Sequence, residues 1–421
     1  MKKLFCYMLL FAALFTMTTA CSDDKDEEPE KKPGTEQPGD NSLKVKLSPE
    51  EFSTAVKGSN SFTLRLINEL QVQNTNEESF ICSPLSASYA LGIAAQGADE
   101  QTVNEITNVL KLPTGDISKM NQFFTYLINK TAYRDKDVKV NIANAFFLDK
   151  GFANSFNSDF EKSLVQNYNA KVEILDFRDH NTLGYINNWC NEQTNGMIPR
   201  FLEQIGGQDY CYLLNAIYFK GIWTYPFDTK RTYSDWFRPE NKAPVERQFM
   251  NKELKVPYTN TTSFQAFQLP YGNGDYSMTI LLPGYSGIRG MLGNLNSSIL
   301  DKIMADLEKK ENKTELNLYM PKFNTTSDLD LHDLLKASGV PSLFTNHLPN
   351  VTDKKVQLTK MRQIVTINVN EKGTEASAIT GGSATLGVKE IKMIKVDHPF
   401  LYLISEKETG AIFFAGIYCG D

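Results

Sequence analysis

The chain has 421 residues, of which 41% are hydrophobic, so it is long enough to bury a large core. Its net charge is −6, and a chain without a basic excess offers no electrostatic footprint for nucleic acid. This length is typical either of two or three domains or of one large α+β unit, and the sequence contains no internal repeat.

The first 45 residues predict export and anchoring. Residues 1–20 carry two lysines, an apolar run and a small-residue end, the pattern of a secretory signal. Cys21 follows directly, and this junction resembles a bacterial lipoprotein cleavage site, with Thr18 where leucine is usual. Residues 21–45 form a charged linker whose acidic run resembles the surface-export signals of Bacteroidetes lipoproteins. We expect lipidation at Cys21 and an outer-membrane anchor at the cell surface; the alternative is an ordinary signal with an incidental cysteine.

Cysteines and histidines predict neither disulfides nor a metal site. The mature chain keeps five cysteines with no CxxC pair and no regular spacing, so the fold needs no disulfide: Cys21, Cys82, Cys190, Cys211 and Cys419. The four histidines are scattered, and none belongs to a zinc-binding helical motif. We therefore expect no cofactor and no metal.

In the first half of the chain, helices alternate with buried strands. Ser48 and Glu51 form a capping box around Pro49, which predicts a helix start. Residues 80–86 (FICSPLS) predict a short buried strand that ends at a second helix, and residues 143–148 (ANAFFL) predict a central strand. Residues 213–223 (LLNAIYFKGIW) predict another strand, in which the buried Asn215 needs a hydrogen-bond partner, since an unsatisfied polar group costs about 1–3 kcal/mol.

The second half ends in further strands. Residues 318–323 (LYMPKF) predict a strand, and residues 331–344 predict a helix with a turn. Val365, Ile367 and Val369 alternate with polar residues at the period of two that is typical of a strand. Residues 396–404 (VDHPFLYLI) and 411–416 predict two buried strands close to the C-terminus.

The segment from Glu371 to Thr385 is a loop that could also become a strand. Its residues are small or polar, with no proline to remove a backbone donor. Every second residue from Thr374 onward is small and uncharged, so one face of an extended chain could lie against a packed interior: Thr374, Ala376, Ala378, Thr380, Gly382 and Ala384. The alternative is a flexible surface loop.

Several of these segments resemble the serpins, the serine protease inhibitor family. Residues 371–378 (EKGTEASA) resemble the hinge of the serpin reactive-centre loop, and residues 213–223 resemble a serpin strand almost residue for residue. The other segments follow in the family order, over residues 46–421. The resemblance implies one α+β domain with the serpin fold: many helices, a large central mixed β-sheet, two further sheets and an exposed reactive-centre loop.

The resemblance also implies site residues. The hinge comprises Glu371, Lys372, Gly373, Thr374, Glu375, Ala376, Ser377 and Ala378. In the family, a polar cluster of two serines, an asparagine and a histidine lies beneath the opening of the main sheet. Here Ser83, Ser86 and Asn215 match it, while Gln363 stands where the histidine is usual. Residues 318–323 resemble the strand beside the hinge, and Lys322 matches a lysine that pairs with the hinge glutamate, Glu371, as a latch.

The implied function is inhibition of serine endopeptidases by a suicide-substrate mechanism. The protease attacks the loop, forms an acyl-enzyme and is trapped when the cleaved loop inserts into the main sheet. Spacing within the family favours the bond between Val388 and Lys389, which suits an elastase-like pocket; Leu386 and Gly387 remain alternatives. The partners would be host or bacterial serine proteases, with cysteine proteases a further candidate class, and we expect a monomer that touches the membrane through its lipid only.

Two other classes of function make different demands on the sequence. A non-inhibitory binding or chaperone-like protein would keep the serpin architecture and lack the trap. A hydrolase would need its own nucleophile motif, but residues 284–288 (GYSGI) have Ile288 where the second glycine of a GxSxG elbow should be. The sequence therefore predicts that the protein is not an enzyme.

Overall fold

A computed structural model describes residues 47–131, 135–207, 209–358, 361–374 and 391–421. The described helices are α1 Pro49–Gln73, α2 Pro84–Gly97, α3 Glu100–Val109, α4 Ile117–Thr131, α5 Ser158–Tyr168, α6 His180–Gln193, α7 Gly287–Asn294, α8 Ser297–Glu308 and α9 Leu331–Ser338. The described strands are β1 Phe80–Cys82, β2 Val138–Asp149, β3 Ala170–Leu175, β4 Cys211–Ile222, β5 Tyr233–Phe237, β6 Val245–Asn260, β7 Phe264–Tyr271, β8 Tyr276–Pro283, β9 Lys313–Pro321, β10 Phe323–Asp330, β11 Arg362–Asn370, β12 Gly373–Thr374, β13 Lys392–Lys395, β14 Phe400–Glu406 and β15 Ile412–Tyr418.

The first sheet has six strands in the order β10-β11-β12-β4-β2-β3. Its pairs are antiparallel except β2 with β3, so the sheet is mixed, as the sequence predicts. One face packs on the main core, where side chains of β4 and β11 meet α2. The other face of β2 and β4 packs on α6 through a smaller cluster that includes Phe147, Trp189 and Leu214.

The second sheet follows the order β1-β15-β14-β8-β7-β6-β9-β13, with β5 paired to β6. The long strand β6 joins its two parts, since residues 258–260 pair with β7 and residues 249–257 pair with β9. The two further sheets implied by the resemblance therefore share one strand and form a single sheet of nine strands. All residues of β8, β14 and β15 are buried.

Local chemistry explains where the helices around these sheets begin. Ser48 caps α1 with the predicted capping box, because its hydroxyl accepts the Glu51 amide while the Glu51 carboxylate accepts the Ser48 amide. Ser83 caps α2, which is apolar on all sides and almost wholly buried. Small residues such as Ala90 and Ala94 allow this helix to pack closely under the six-stranded sheet.

The predicted secondary structure is largely confirmed, and one expectation is wrong. Residues 318–321 lie in β9, which belongs to the nine-stranded sheet, so this segment does not form a strand beside the hinge. Lys322 lies between β9 and β10, and the strand that starts at Phe323 pairs with β11. Side-chain periodicity fixes that a strand exists here, but the choice of partner strand depends on contacts far away in sequence.

Cysteines 82, 190, 211 and 419 are buried free thiols. Burial raises the pKa of each of them to about 12, so all four stay protonated at neutral pH. Across the described ranges, no three His, Cys, Asp or Glu side chains come together as a metal site would require. None of the helices in those ranges is long and apolar enough to cross a bilayer.

Candidate functional site

The two residues of β12 lie between β4 and β11 in the six-stranded sheet. Gly373 pairs with Ile222 of β4 and Asn370 of β11, and Thr374 pairs with Gly221 and Val369. Both flanking strands run antiparallel to β12, so they are parallel to each other. Within the described residues, no backbone ladder joins β4 directly to β11, and β12 is the strand that connects them. We call the line along which β4 and β11 face each other beyond Thr374 the seam.

Gly373 can occupy this position because it has no side chain. Its φ is +148°, which L-residues with a Cβ rarely adopt, and a Cβ would collide with the carbonyl oxygen of Gly221 on β4. A glycine at this position therefore permits the close approach of β12 to β4. Of the hinge residues, Glu371, Lys372, Gly373 and Thr374 are described, whereas Glu375, Ala376, Ser377 and Ala378 lie outside the described residues, as do Leu386, Gly387, Val388, Lys389 and Cys21.

Two aromatic side chains fix the start of the hinge. The Trp223 amide donates to the carbonyl oxygen of Lys372, and its indole Nε1 donates to that of Asn370, both at 2.9 Å. The Trp223 ring stacks on Tyr271 at 4.3 Å between centroids. The Tyr271 hydroxyl shares a hydrogen bond of 2.7 Å with the hydroxyl of Thr374, which is buried as the alternation predicts. Burial raises the pKa of Tyr271, so this hydroxyl stays protonated.

Glu371 is a buried carboxylate with two side-chain partners. Its Oε2 lies 3.1 Å from Nζ of Lys322, and its Oε1 accepts the hydroxyl of Thr232 at 2.8 Å. Burial by itself raises the pKa of Glu371, but the backbone hydrogen bond, the bonds from Thr232 and Lys322 and the Lys322 charge together hold it below its usual value. The pair expected between Lys322 and Glu371 is thus present, and it holds an ionised carboxylate beside β12.

Gln363 of β11 binds the backbone at the start of α2. Its Oε1 accepts the Ser83 amide at 2.8 Å, and its Nε2 donates to the Ser83 carbonyl oxygen at 2.9 Å. The Ser83 hydroxyl donates to the carbonyl oxygen of Phe413 at 2.7 Å and accepts the Ser86 amide. The side-chain amide of Gln363 can form both of its bonds to the Ser83 backbone because it carries a donor and an acceptor. Gln363 therefore ties β11 to α2 without a titratable group.

Asn215 of β4 completes the cluster on the other side of the seam. Its Oδ1 accepts the Ser86 hydroxyl, and its Nδ2 donates to Oδ1 of Asn144 on β2. Asn144 in turn donates to the carbonyl oxygen of Tyr168 at 2.8 Å. The structure thus brings Ser83, Ser86, Asn215 and Gln363 together under the six-stranded sheet, because the two serines at the start of α2 are bonded to Gln363 of β11 and to Asn215 of β4.

Comparison with known proteins identifies the family. A model of the serpin family, described as serine protease inhibitors, matches residues 57–420. The chain belongs to the serpin family. Iripin-2 of Ixodes ricinus is 28% identical over 388 residues, which cover 89% of this chain and 96% of that protein. Human serpin B9 is 28% identical over 382 residues, which cover 87% of this chain and 99% of its own.

Solved serpin structures confirm the fold. The thermophilic serpin tengpin in its native state has a TM-score of 0.78 at 24% identity, covering 89% of this chain and 96% of its own. Human thyroxine-binding globulin complexed with thyroxine has a TM-score of 0.78 at 23% identity, covering 87% of this chain and 98% of its own. Serpins are in general protease inhibitors and not catalysts, and the family also contains members that bind a small molecule. The family thus supports a protease-inhibitor type of fold for this chain.

The sequence missed several residues that build the hinge of this serpin. The sequence motifs predict no role for Asn144 or Thr232, which bond to Asn215 and Glu371. Asn144 did carry a signal, because a polar residue within an apolar strand needs a hydrogen-bond partner, as Asn215 does. Tyr271 gave no signal, because its contact with Thr374 joins residues more than a hundred positions apart. Trp223 ends the most serpin-like string, but its role in holding the hinge backbone required the structure.

We expect Asn215→Ala to destabilise this serpin by about 1–3 kcal/mol, because Ser86 and Asn144 would lose their shared buried partner. The free energy of unfolding of the uncleaved protein in urea measures the effect. Asn260→Ala, at the exposed end of β6, is the control and should change it by less than about 0.5 kcal/mol. Equal values for the two variants would show that the cluster adds nothing to stability.

The lowered pKa of Glu371 predicts that the difference in stability between this serpin and its Glu371→Gln variant depends on pH. A carboxyl whose pKa is lowered by folding stabilises the fold above its ordinary pKa of about 4.3, and that contribution is lost as the pH falls through the lowered value. The thermal midpoint of the wild type should exceed that of the variant at pH 6–7, and the gap should close at acidic pH. Glu308→Gln, at an exposed site on α8, is the control. A gap that stays constant from pH 7 to pH 3 would contradict this account.

Proposed function

We propose that this serpin is a suicide-substrate inhibitor of serine endopeptidases that traps its target as a covalent acyl-enzyme. The observation that carries the proposal is the position of β12 at the end of the seam. The strands β4 and β11 are paired through two hinge residues and, in the described part of the chain, have no backbone pairing to each other. A sheet built in this way can accept more of the same segment as an additional strand.

The register of β12 indicates which side chains an inserted strand would bury. Continued pairing past Thr374 would place Ala376 opposite Phe219 and Ile367, and Ala378 opposite Ile217 and Val365. All four of these neighbours are buried in the main core. A charged side chain on this face would lose its hydration without a partner, which costs several kcal/mol. The small residues on this face of the hinge therefore suit insertion.

The length of the loop suits the trap. In the proposed reaction, the serine hydroxyl of the protease attacks the carbonyl carbon of Val388 and the bond from that carbon to the α-nitrogen of Lys389 breaks. The serine proton passes to this nitrogen, so the segment that contains β13 becomes a new N-terminus and Val388 is held as an ester. The stretch from Thr374 to Val388 then spans about 45–50 Å as a strand, at about 3.3 Å per residue. Insertion would carry the attached protease from one end of the six-stranded sheet to the other before the ester is hydrolysed.

The identity of the target follows from the side chain that would fill the specificity pocket. Val388 favours an elastase-like protease, and this is the target that we propose. Leu386 would suit a chymotrypsin- or subtilisin-like pocket and Lys389 a trypsin-like one, so cleavage after a neighbouring residue would change the class. The human thyroxine-binding globulin structure supports a second candidate, a non-inhibitory binding protein with the same fold.

We expect this serpin to form a 1:1 adduct with neutrophil-type elastase that survives denaturation. Moving the carboxylate from position 375 to position 376 should abolish this adduct. The paired change Glu375→Ala with Ala376→Glu keeps the composition and turns a carboxylate toward Phe219 and Ile367. Insertion should then fail, so that the protein is cleaved as a substrate. Denaturing gels and intact mass measure adduct and cleavage, and the released peptide identifies the bond.

The matched control is Glu375→Ala alone, which should still trap the protease. Trypsin is tested in parallel, because Lys389 offers it a site. Cleavage of the wild type without an adduct, across elastase, trypsin and a subtilisin, would overturn the inhibitor proposal in favour of a binding protein. An adduct formed equally by the paired variant would contradict insertion through this face.

We further propose that the protein is exported and held at the outer surface of the outer membrane by a lipid on Cys21. The support is the order of signal, cysteine and acidic linker in residues 1–45. Cells grown with an alkyne-tagged fatty acid should label the wild type and the Cys82→Ser control, because Cys82 is a buried thiol of the folded domain. Cys21→Ser should remove the label. Labelling that persists in Cys21→Ser would contradict the anchor.

A further inference from the structure

His398 lies just after β13, the strand that follows the reactive loop, and both of its ring nitrogens face acceptors. Its Nδ1 lies 3.1 Å from Oδ1 of Asp397, and its Nε2 lies 2.9 Å from the carbonyl oxygen of Pro283 at the end of β8. An ionised carboxylate and a backbone carbonyl have no hydrogen to give, so each nitrogen forms its bond only by donating. The ring forms both bonds only when both nitrogens carry a hydrogen, which makes it a cation.

The acceptor at Nδ1 is an ionised carboxylate. Asp397 also pairs with Arg238, and its Oδ2 lies 4.0 Å from Nζ of Lys395. Lys395 itself bonds to Asp235 at 2.7 Å. Burial by itself raises the pKa of Asp397, but the bond from His398 and the positive charges of Arg238 and Lys395 hold it below its usual value. The carboxylate is therefore present throughout the pH range in which an imidazole titrates.

The surroundings of His398 favour its protonated form on balance. Burial by itself lowers the pKa of His398, but the bonds to Asp397 and to the Pro283 carbonyl and the negative charges of Asp397 and Glu240 raise it above its usual value. The Glu240 carboxylate is held nearby, because it accepts the amide of Ile288 in α7. The charged groups around the ring and its partner come from the end of β13 and from the segment after β5: Lys395, Asp397, Arg238 and Glu240.

The same junction anchors the chain that leaves the reactive loop. The Val396 amide donates to the carbonyl oxygen of Tyr319 on β9 at 2.8 Å, and the Arg238 amide donates to that of Asp397 at 2.7 Å. These bonds lie in the part of the nine-stranded sheet that contains β5, β9 and β13. The Nε2 bond of His398 reaches β8, which belongs to the other part. His398 therefore fixes where β13 ends relative to β8.

We propose that His398 is a proton-controlled clamp that holds the C-terminal end of β13 to Asp397 and to the end of β8. Loss of one proton leaves a nitrogen lone pair opposite an acceptor, so one of the two bonds is lost. A group whose pKa is raised by folding adds stability that is fully present below its ordinary value of about 6.5 and is lost as the pH rises through the raised pKa. The clamp is thus closed at acidic pH and opens toward alkaline pH, whether the protein traps a protease or binds another ligand.

Hydrogen exchange at the amides of Val396 and Arg238 measures the clamp, from about pH 5.5 to 9.5 in the purified chain, with the intrinsic pH dependence of exchange divided out. The corrected rate of the wild type should rise about tenfold or more with pH, the factor expected for one lost charge-assisted hydrogen bond. His398→Gln cannot hold both acceptors and should exchange fast at every pH. His398→Arg keeps its charge and its donors and should exchange slowly at every pH. The control, His180→Gln at a side chain that is 91% exposed, should behave as the wild type does.

The titration of the ring is measured in the unaltered protein, so the test does not depend on the folding of a variant. Nitrogen-15 shifts of the imidazole give the pKa of His398, which should exceed about 6.5 and coincide with the midpoint of the change in exchange. A pKa at or below that value would overturn the clamp. A wild-type exchange rate that ignores the ionisation of the ring, or the same pH dependence in His398→Gln, would overturn it as well.

Discussion

The six-stranded sheet depends on how the backbone groups along β4 and β11 are satisfied. Strand edges inside a protein carry rows of amide and carbonyl groups that cost free energy if they remain unpaired. In the described residues, β12 meets this demand at Gly373 and Thr374, where it pairs with both neighbours. The absence of a side chain at Gly373 permits that close approach to Gly221. Gly373 and Thr374 therefore join β4 and β11 into one sheet through backbone pairing on both sides.

The groups around the seam differ in how they respond to conditions. Ser83, Ser86, Asn215, Asn144 and Gln363 carry no titratable group, so the cluster beneath the sheet is insensitive to physiological changes of pH. Gln363 replaces the histidine usual in the family and still forms two hydrogen bonds with the backbone of Ser83. Glu371 in the hinge is an ionised group that pairs with Lys322. The lowered pKa of Glu371 keeps its carboxylate charged at neutral pH. The contacts beneath this sheet are thus uncharged hydrogen bonds and apolar packing.

The two ends of the reactive loop begin from different surroundings. On the N-terminal side, Thr374 is buried and bonded to Tyr271, which fixes the face that an inserted strand turns toward the core. On the C-terminal side, Ile391 and Met393 are exposed on the nine-stranded sheet. The N-terminal side is thus tied into the six-stranded sheet, whereas the C-terminal side belongs to the nine-stranded sheet.

The sequence by itself determined most of the secondary structure and the family. These features are local, since the capping box at Ser48 involves residues three apart and the alternation of β11 repeats every second residue. It also identified Ser83, Ser86, Asn215 and Gln363, because the family pattern marks them. The sequence pattern predicted a strand beside the hinge at residues 318–323. In the structure, β9 belongs to the other sheet, and Lys322 is the residue of this segment that pairs with Glu371. Only the tertiary structure decided the partners of β9, the Tyr271 contact of Thr374 and the outward face of Met393, because strand pairing and burial depend on residues brought together from distant parts of the chain.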